Sequence, residues 1–488
     1  MDYSRTLVRT GELVWFPGAP RIEGITSPLW ALLLADLQLV PISPARSGAL
    51  VQLLGMAMLL CTLVLVYRLT MLGDNDESLA LAATAVVAAC YPVVYVALTG
   101  WEHSLVALLI VALAYIALER ERWPLIGDLL IILGLLTRMD FLVAVVPISA
   151  YLVLQRKVSW IREVTVILLT LSLLTFWRWE YYGALLPNTW TLKMTGYPFV
   201  LRIARGLWVT LTDIWRWRVI IAVPFVALFA GGWREARFVL PCSVFVALAA
   251  YAVWVGGDAW HDDTWGSRYL IAALPLLVPL VVRWLDKFLR RLVRISEGSG
   301  PARALRRVAV AALVIVCLSP VNRVLLLHIP KARHWEDSMS EALLIRDGTR
   351  KSATVGVVGG GALPYFSERR CVDFLGKSDT AIARLRAHQA PPHQNPLTYY
   401  YPGHLKWSAR HSIETMKPDI VTGTWGDQDE WLWVLRMNGY TPISNPGNLP
   451  LWVKEERAAK VIGPAAADGV PSVIESEPGS GSQQRTTR

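Results

Sequence analysis

The stretch GALVQLLGMAMLLCTLVLV, residues 48–66, contains nineteen consecutive residues and no charged side chain. As an α-helix it would be roughly 28 Å long, which matches the hydrocarbon thickness of a bilayer. Similar apolar runs follow at short intervals over the first two thirds of the chain, and they leave no polar helix face for solvent. Such runs are too many and too evenly spaced to be the buried helices of one soluble core. The sequence therefore predicts a polytopic membrane protein.

The composition of the whole chain agrees with this prediction. Its 488 residues are 54% hydrophobic and 18% charged, whereas soluble domains are typically about 25% charged. Residues 28–41 are also apolar, but Asp36 and two prolines favour an interfacial or re-entrant helix there. Ten transmembrane helices are predicted, at residues 48–66, 79–98, 103–118, 123–137, 140–155, 163–178, 217–231, 238–255, 268–285 and 308–326.

Basic residues in the loops predict the orientation of these helices. Much of the net charge of +10 lies in short loops between apolar runs, a pattern that sets membrane orientation and does not indicate nucleic-acid binding. The loops with Arg120, Arg156 and Arg234 fall on one side. So does the most basic loop, which is predicted to be cytoplasmic and contains Lys287, Arg290, Arg291, Arg294, Arg303, Arg306 and Arg307. The outer face then receives residues 1–47, 179–216 and 256–267 and the chain after about residue 327.

The N-terminal segment creates a difficulty for this topology. Ten spans place residues 1–47 outside, yet no apolar segment precedes them that could carry them across a membrane. We therefore expect a first transmembrane helix upstream of Met1. The five cysteines show no metal or redox spacing and are interpreted as small hydrophobic residues.

Four regions are predicted along the chain. Residues 1–47 form a first outer loop with an interfacial helix, and residues 48–326 form a transmembrane bundle. Residues 327–456 form a small C-terminal extracytoplasmic α/β domain. Residues 457–488 are rich in Gly, Ser, Pro and Ala and are predicted to be a disordered tail. The strands of the α/β domain are predicted from the runs Thr354–Val358, Asp419–Val421 and Leu451–Val453.

Polar side chains on the predicted outer face are the candidate site, because ionisable groups gathered on one face of a membrane bundle usually serve function. Tyr182, Asn188 and Lys193 lie in the segment RWEYYGALLPNTWTLK and could line a pocket for sugar and phosphate. The alternative is an aromatic belt with a snorkelling Arg178. Glu23 is a second candidate, and its alternative role is to cap the helix after Ser27.

The segment GGDAWHDDTWGSR, residues 256–268, is densely charged for a short outer loop. Its Asp258 and Arg268 could supply a base or a phosphate clamp. A divalent metal is the one cofactor considered, although the spacing of its candidate ligands His261, Asp262 and Asp263 fits no specific metal template. The alternative is a solvated connector. In the segment YPGHLK, residues 401–406, His404 and Lys406 alternate along an extended strand and would share one face.

Taken in order, these segments resemble polytopic glycosyltransferases of the GT-C class. The chain looks most similar to the mycobacterial terminal arabinofuranosyltransferase type and to relatives with an RgtA/B/C/D-like domain. The ordered set covers nearly the whole chain, which makes it more specific than any one motif. The matching stretches are residues 11–30, TGWEHSL at 99–105, LTRMDF at 136–141, residues 178–193, residues 256–275, residues 355–379, PGHLKW at 402–407 and KPD at 417–419.

The resemblance implies a substrate class and a place of reaction. Such enzymes take a sugar, here a candidate arabinofuranose, from a polyprenyl-phosphate donor and pass it to an envelope glycan or glycolipid acceptor. The reaction takes place on the outer face of the cell membrane, with membrane lipid around the site and no nucleic acid involved. Catalysis needs cationic groups on the leaving phosphate and a carboxylate that deprotonates the acceptor hydroxyl.

The resemblance also suggests residue roles. Lys193 and Arg268 are the candidates for the donor phosphate, and Asp258 holds a sugar hydroxyl or orients Arg268. Asn188, His404 and Lys406 would line the mouth of the cavity, and Glu23 would orient the acceptor or stiffen its loop. In this class the catalytic carboxylate usually follows the first transmembrane helix in an acidic motif. Only Asp2 lies near that place, so Asp2 marks the expected region of the base, with Asp258 as the other catalytic candidate.

Two other classes of function are compatible with a polytopic chain. A transporter or flippase of lipid-linked precursors would show internal repeats and charges at mid-span, and the sequence has no clear repeat and few such charges. A non-catalytic scaffold that binds lipid-linked glycan is favoured only by the missing acidic pair. An in-frame upstream helix followed by paired acids would distinguish an enzyme from such a scaffold.

Overall fold

In a computed structural model, the structure describes residues 1–119, 123–261, 266–293, 307–312, 314–315, 333–443 and 451–458. The chain divides into two compact units. The first contains Met1–Trp335 and Leu375–Trp407, and the second contains Glu336–Phe374 and Ser408–Arg488.

Helices build nearly all of the first unit, and a small sheet organises the second. The helices are α1 Asp2–Thr10, α2 Pro28–Gln38, α3 Pro44–Asp74, α4 Glu77–Ala88, α5 Tyr91–Leu98, α6 His103–Leu118, α7 Pro124–Thr137, α8 Leu142–Leu154, α9 Trp160–Tyr182, α10 Asn188–Met194, α11 Phe199–Arg216, α12 Arg218–Phe229, α13 Ala236–Trp254, α14 Arg268–Ile271, α15 Leu274–Val293, α16 Arg333–Gly348, α17 Ala362–Ser367, α18 Thr380–Ala383, α19 Pro396–Tyr399 and α20 Gln428–Met437. The strands are β1 Thr354–Val357, β2 Arg370–Asp373, β3 Ile420–Val421, β4 Tyr440–Ile443 and β5 Leu451–Lys454.

Apolar helices occupy the first eight predicted transmembrane positions. Among the described residues, three are long and apolar enough to cross a membrane: Arg46–Leu72 within α3, Trp160–Tyr182 and Ala236–Trp254. A fourth span is possible if α4 and α5 count as one. Shorter apolar helices are His103–Leu118, Pro124–Thr137, Met139–Leu154 and Arg218–Phe229. The number of ten spans therefore stays a prediction, and its last member, residues 308–326, lies mostly outside the described residues.

A break between α4 and α5 turns the chain towards the candidate site. The two helices meet at an angle of 60°. Pro92 stands in the first turn of α5, where its missing N–H group costs no helical hydrogen bond. The bent pair ends just before Trp101 and Glu102, which directly precede α6.

Helix α6 lies within the bundle and packs against α3, α5, α7 and α8. Eleven of its sixteen residues are buried, and its sequence is apolar on every side, which is typical of a helix surrounded by other helices. Because neighbouring helices pack against α6 along its length, its first residues have a well-defined position beside the polar groups that precede them.

Helix α11 has the opposite pattern to an amphipathic helix on a soluble protein. Its buried side includes Arg202, Arg205 and Asp213. Its exposed large side chains are apolar: Phe199, Val200, Leu207, Trp208, Leu211 and Trp215. An outward apolar face is typical of a helix that lies in a membrane interface. The sequence predicted only a loop at residues 179–216, and the inward charges of α11 explain why its membrane-facing side was not recognised.

The second unit contains a mixed five-stranded sheet with the strand order β2-β1-β3-β5-β4. β1 pairs in parallel with β2 and β3, whereas β5 pairs antiparallel with β3 and β4. The ring of Phe374 would lie 2.2 Å from a Cβ atom at Gly356, so only glycine fits at that point of β1. The predicted small sheet is confirmed, and residues 375–407 interrupt this unit in sequence and fold with the first one.

Candidate functional site

Polar side chains of the first unit meet where several apolar helices begin or end. Three connections supply them: the turn before α6, the turn between α7 and α8, and the loop between α13 and α14. Their contacts join into one network, because Arg268 touches groups from two of these connections. The residues in it are Trp101, Glu102, Arg138, Asp140, Asp258 and Arg268.

Asp258 and Arg268 form a buried, bidentate ion pair. Arg268 donates from Nε to Oδ2 and from Nη2 to Oδ1 of Asp258, both at 2.8 Å. The backbone N–H groups of Arg268 and Trp260 donate to the same carboxylate at 3.0 and 3.2 Å. Burial alone would raise the pKa of Asp258, but the charge and hydrogen bonds of Arg268 hold it well below its usual range. This carboxylate therefore stays ionised, and its oxygens fix the direction of the Arg268 side chain.

Arg268 is also held on its other side. Its guanidinium lies over the ring of Trp101, 4.7 Å from the ring centroid. A planar guanidinium that is stacked and paired at once has little rotational freedom. The side chain is 16% exposed, so part of it remains accessible to a ligand.

Two glycines form the turn that brings Asp258 into this position. Gly256 and Gly257 have φ angles of 86° and 77°, a region that only glycine adopts readily. A Cβ atom on Gly256 would lie 2.9 Å from the side chain of Arg202. Arg205 of α11 completes the turn by donating to the carbonyl oxygens of Gly256 and Asp258, at 2.5 and 3.3 Å.

Arg138 links the carboxylates of Asp140 and Glu102. It donates to the two carboxylate oxygens of Asp140 at 2.8 and 2.7 Å, and Nη1 donates to Glu102. Tyr269, the neighbour of Arg268, lies under the Arg138 guanidinium. Glu102 lies in the sequence motif TGWEHSL, and Arg138 and Asp140 lie in LTRMDF. Neither motif by itself shows that Glu102 pairs with Arg138.

Lys193 is a cation beside this network with no ion-pair partner among the described residues. It lies in the last turn of α10. Burial and then the positive charges of Arg268, Arg138 and Lys377 lower the pKa of Lys193 to about 8. Lys193 therefore lies near enough to these three cations for their charges to act on it, and such a group attracts an anion.

Asn188 positions the segment that carries Lys377. Its side-chain amide donates to the backbone oxygens of Gly376 and Lys377, both at 2.9 Å. The hydroxyl of Tyr3 in α1 lies 3.2 Å from Ser378 Oγ and also donates to the oxygen of Ile22. The N-terminal helix and α10 thus hold the same short segment beside the cation group.

Asp2, in the first turn of α1, is buried and paired with Arg5 at 3.0 Å. Burial raises the pKa of Asp2 to about 6. A carboxylate with a raised pKa can accept a proton near neutral pH, which is what a general base requires.

Glu23 and Tyr182 hold the N-terminal segment in place. The Glu23 carboxylate accepts from Nε of Arg178 at 2.8 and 3.0 Å, and both side chains are buried. Burial raises the pKa of Glu23 and its charged partner partly offsets that shift. Ser27 is the residue before α2, and the Glu23 carboxylate pairs with Arg178 instead of capping that helix. The hydroxyl of Tyr182 donates to the oxygen of Leu13 at 2.9 Å.

His404 and Lys406 are both buried, and they have different surroundings. Nδ1 of His404 lies 3.2 Å from the oxygen of Pro402, and its ring packs against Trp260. Burial and the nearby charge of Lys377 lower the pKa of His404 to about 3, so it is neutral. Lys406 donates to Thr191, Thr195 and Ala383. These hydrogen bonds use all three of its protons and connect α10 with α18. Burial lowers the pKa of Lys406 to about 8.

The candidate metal ligands cannot be assembled from the described part of the chain. His261 lies with Nδ1 3.2 Å from the oxygen of Asp258 and with its ring against Trp208. Asp262 and Asp263 lie outside the described residues. Within the described ranges no group of three or more His, Cys, Asp or Glu residues is arranged to hold a metal ion.

Sequence similarity is found in the C-terminal part of the chain. A family model described as a domain of unknown function, DUF8728, matches residues 330–460. No curated protein matches the chain.

Structural similarity extends over the whole chain. It includes ArnT from Cupriavidus metallidurans in the apo state, with a TM-score of 0.53, 12% identity, and coverage of 93% of this chain and 92% of ArnT. ArnT bound to undecaprenyl phosphate gives a TM-score of 0.52 with 11% identity and the same coverage. Likeness at such identity concerns the fold. The chain is therefore a membrane protein with an ArnT-like fold. This fold supports the predicted GT-C class, while the arabinofuranosyltransferase subfamily stays a prediction.

Proposed function

We propose that this protein transfers a sugar from a polyprenyl-phosphate donor to an envelope glycan or glycolipid acceptor. The observation that carries the proposal is the group of four cations, Lys193, Arg268, Arg138 and Lys377, beside the ends of apolar helices. A lipid phosphate has its tail in the bilayer and its charge at the membrane surface, which is the setting of this group. The structural likeness to ArnT bound to undecaprenyl phosphate supports a donor of the same chemical kind.

The reaction requires a nucleophile, a leaving group and a proton acceptor. An acceptor hydroxyl oxygen forms a bond to the anomeric carbon, the bond from that carbon to the phosphate oxygen breaks, and the lipid phosphate leaves with the electron pair. Lys193 and Arg268 neutralise the charge that builds up on the leaving phosphate. Both carboxylate oxygens of Asp258 accept hydrogen bonds from Arg268. We therefore assign Asp258 the role of orienting Arg268 and not that of the base.

Asp2 is the carboxylate that we assign as the base. Glu23, Glu102, Asp140 and Asp258 are each paired with an arginine, as Asp2 is, so pairing alone does not select the base. Asp2 is paired with Arg5, and its pKa of about 6 suits proton acceptance near neutral pH. The reaction would take place on the outer face, with the C-terminal domain on the same side, as the basic loops predict.

The test uses the full chain in proteoliposomes with labelled polyprenyl-phosphate sugars, beginning with the arabinofuranosyl donor, and a glycan acceptor. We expect Lys193→Ala and Arg268→Ala to lower transfer by at least about a hundredfold, as loss of one charge-stabilising donor typically does. Asp258→Asn should lower transfer less, by about tenfold to a hundredfold, because it only loosens Arg268. Arg21→Ala is the matched control, since Arg21 is an exposed arginine of the N-terminal segment. Normal transfer by Arg268→Ala would contradict the assigned site.

A non-catalytic scaffold for lipid-linked glycan is the second candidate. Its support is that the carboxylates nearest the cation group are consumed in ion pairs. Donor binding and sugar transfer by the wild type and by Asp2→Asn separate the two functions. If the protein is an enzyme, the wild type transfers sugar, and Asp2→Asn loses transfer but keeps donor binding. If it is a scaffold, the wild type binds donor but transfers no sugar.

A further inference from the structure

A second charged cavity lies in the first unit, away from the candidate site. Its volume is about 180 Å³, and it is lined by Asp76, Leu79, Arg283, Asp286, Lys287, Arg290 and Arg307. Asp76 precedes α4, whereas the candidate site lies beyond the end of α5. Along α15, Lys287 is thirteen residues beyond Leu274, a distance of roughly 20 Å. The two sites are therefore separated by most of the thickness of a bilayer.

Cations outnumber carboxylates among the described residues that line this cavity. These are two carboxylates, Asp76 and Asp286, and four basic side chains. Arg290 pairs with Asp286 at 2.7 Å, and Arg307 pairs with Asp76 while its Nε lies 3.7 Å from Asp286. The described lining of the cavity is thus rich in cations, and such a lining attracts an anion.

The cavity also contains hydrogen-bond donors that are not used. The Nε atoms of Arg307 and Arg290 are buried and have no hydrogen-bond partner within the described ranges. The Arg307 side chain is 4% exposed. Buried donors of this kind normally have partners, so their arrangement is suited to a ligand that brings acceptor oxygens.

A larger, mostly apolar cavity adjoins the first. It has a volume of about 400 Å³ and shares Arg283 with the charged cavity. Its apolar lining includes Leu69, Leu72, Leu276 and Leu280. An acyl chain would fit such a lining, beside a headgroup in the charged cavity.

We infer that the charged cavity binds a phosphate group, carried by the headgroup of an anionic lipid or free in solution. Phosphate offers several acceptor oxygens and the negative charge that a cation-rich lining attracts, and arginine forks match its geometry. The basic loop after α15 predicts the cytoplasmic side for this cavity. The site is thus distinct from the sugar-transfer site, and it would link the chain to the composition of the opposite leaflet.

The test measures binding to the purified full-length chain in detergent. Native mass spectrometry follows the titration of phosphatidylglycerol and of phosphatidylcholine, and thermal unfolding is followed with and without inorganic phosphate. The variants are Lys287→Gln, which changes an exposed residue, and Lys287→Gln/Arg290→Gln. Arg291→Gln is the matched control, because Arg291 is exposed on the same helix and does not line the cavity.

We expect phosphatidylglycerol affinity to fall about fivefold in the single variant and about thirtyfold in the double variant, with Arg291→Gln unchanged. If inorganic phosphate protects the wild type and the control but not the double variant, and lipid has no effect, the ligand is free phosphate. Two lipid results speak against the inference: equal affinity for phosphatidylglycerol and phosphatidylcholine, or a loss of affinity in Arg291→Gln as large as in the cavity variants. Either of them would overturn the inference if inorganic phosphate also protects the wild type no better than the double variant. Unfolding temperatures without ligand show whether each variant is folded.

Discussion

Lys193 differs from the arginines around it because its charge can be lost within an accessible pH range. Arg138 and Arg268 each have carboxylate partners and stay charged, whereas burial and these neighbouring charges lower the pKa of Lys193 to about 8. A lysine is protonated below its pKa and neutral above it. The cation group therefore has its full charge at pH 7 and loses one charge as the pH rises through about 8.

This titration predicts an alkaline loss of donor binding. Between pH 7 and pH 9 the charged fraction of Lys193 falls to about a tenth, so we expect KM for the polyprenyl-phosphate donor to rise about tenfold. Lys193→Arg keeps its charge throughout and should remove this dependence. The measurement is the initial rate of sugar transfer against donor concentration at several pH values. An identical alkaline profile in wild type and Lys193→Arg would show that another group titrates.

A second prediction concerns the Glu23–Arg178 pair, in which both side chains are almost completely buried. Glu23→Gln leaves the Arg178 charge buried without its partner, and such a change costs about 3–5 kcal/mol. The double variant Glu23→Leu/Arg178→Met removes both charges and should recover most of the lost stability. Denaturant unfolding of the purified chain measures both. The control is Glu12→Gln, which breaks the exposed pair with Arg21 and should leave the midpoint unchanged.

The elements of the fold differ in how far their sequence predicts them. A long apolar run such as α3 is recognised locally, because its length and lack of charge already exclude other structures. Helix α11 is different, because Arg202, Arg205 and Asp213 give it the pattern of a soluble amphipathic helix. Which of its faces points inward depends on the partners of those charges, Gly256 and Asp258 among them, and these lie about fifty residues further along the chain.

Helix α11 is predicted to lie in the membrane interface with its apolar face towards lipid. Leu211 is 54% exposed in the fold, close in sequence to Trp208 and Trp215. Covering this apolar surface with lipid would be favourable, whereas exposing it to water would not. A spin label on Leu211→Cys in proteoliposomes should collide with oxygen more than with a water-soluble nickel complex. A label on Arg21→Cys should show the reverse. Equal access of the nickel complex to both labels would place α11 in water.

The candidate site illustrates what depends on the whole chain. Asp258 and Arg268 stand ten residues apart in one loop, so their pairing could be foreseen from the sequence. Glu102 and Arg138 stand thirty-six residues apart on different helices, and only the packing of α6 against α7 brings them together. Lys406 was predicted at the mouth of a cavity, but its hydrogen bonds to Thr191, Thr195 and Ala383 are contacts between distant segments, which residue type and spacing do not reveal.

The orientation of the whole molecule follows from where its basic residues lie. The described lining of the cavity beside Lys287 and Arg307 is rich in cations, and the loops predicted to be cytoplasmic are on that side. The candidate site lies near the other ends of these helices. If the basic side faces the cytoplasm, the candidate site is reached from outside.

Cysteine labelling in a background without the five native cysteines tests this orientation at three exposed positions. An impermeant maleimide added to intact cells should label Arg21→Cys and Lys351→Cys and should label Arg291→Cys only after the membrane is opened. Each position is exposed in the structure, so a lack of labelling reports the membrane barrier and not burial. Labelling of all three in opened membranes is the control for reactivity. If Arg291→Cys alone reacts in intact cells, the orientation is inverted, and the cation group around Lys193 would meet its donor at the cytoplasmic leaflet.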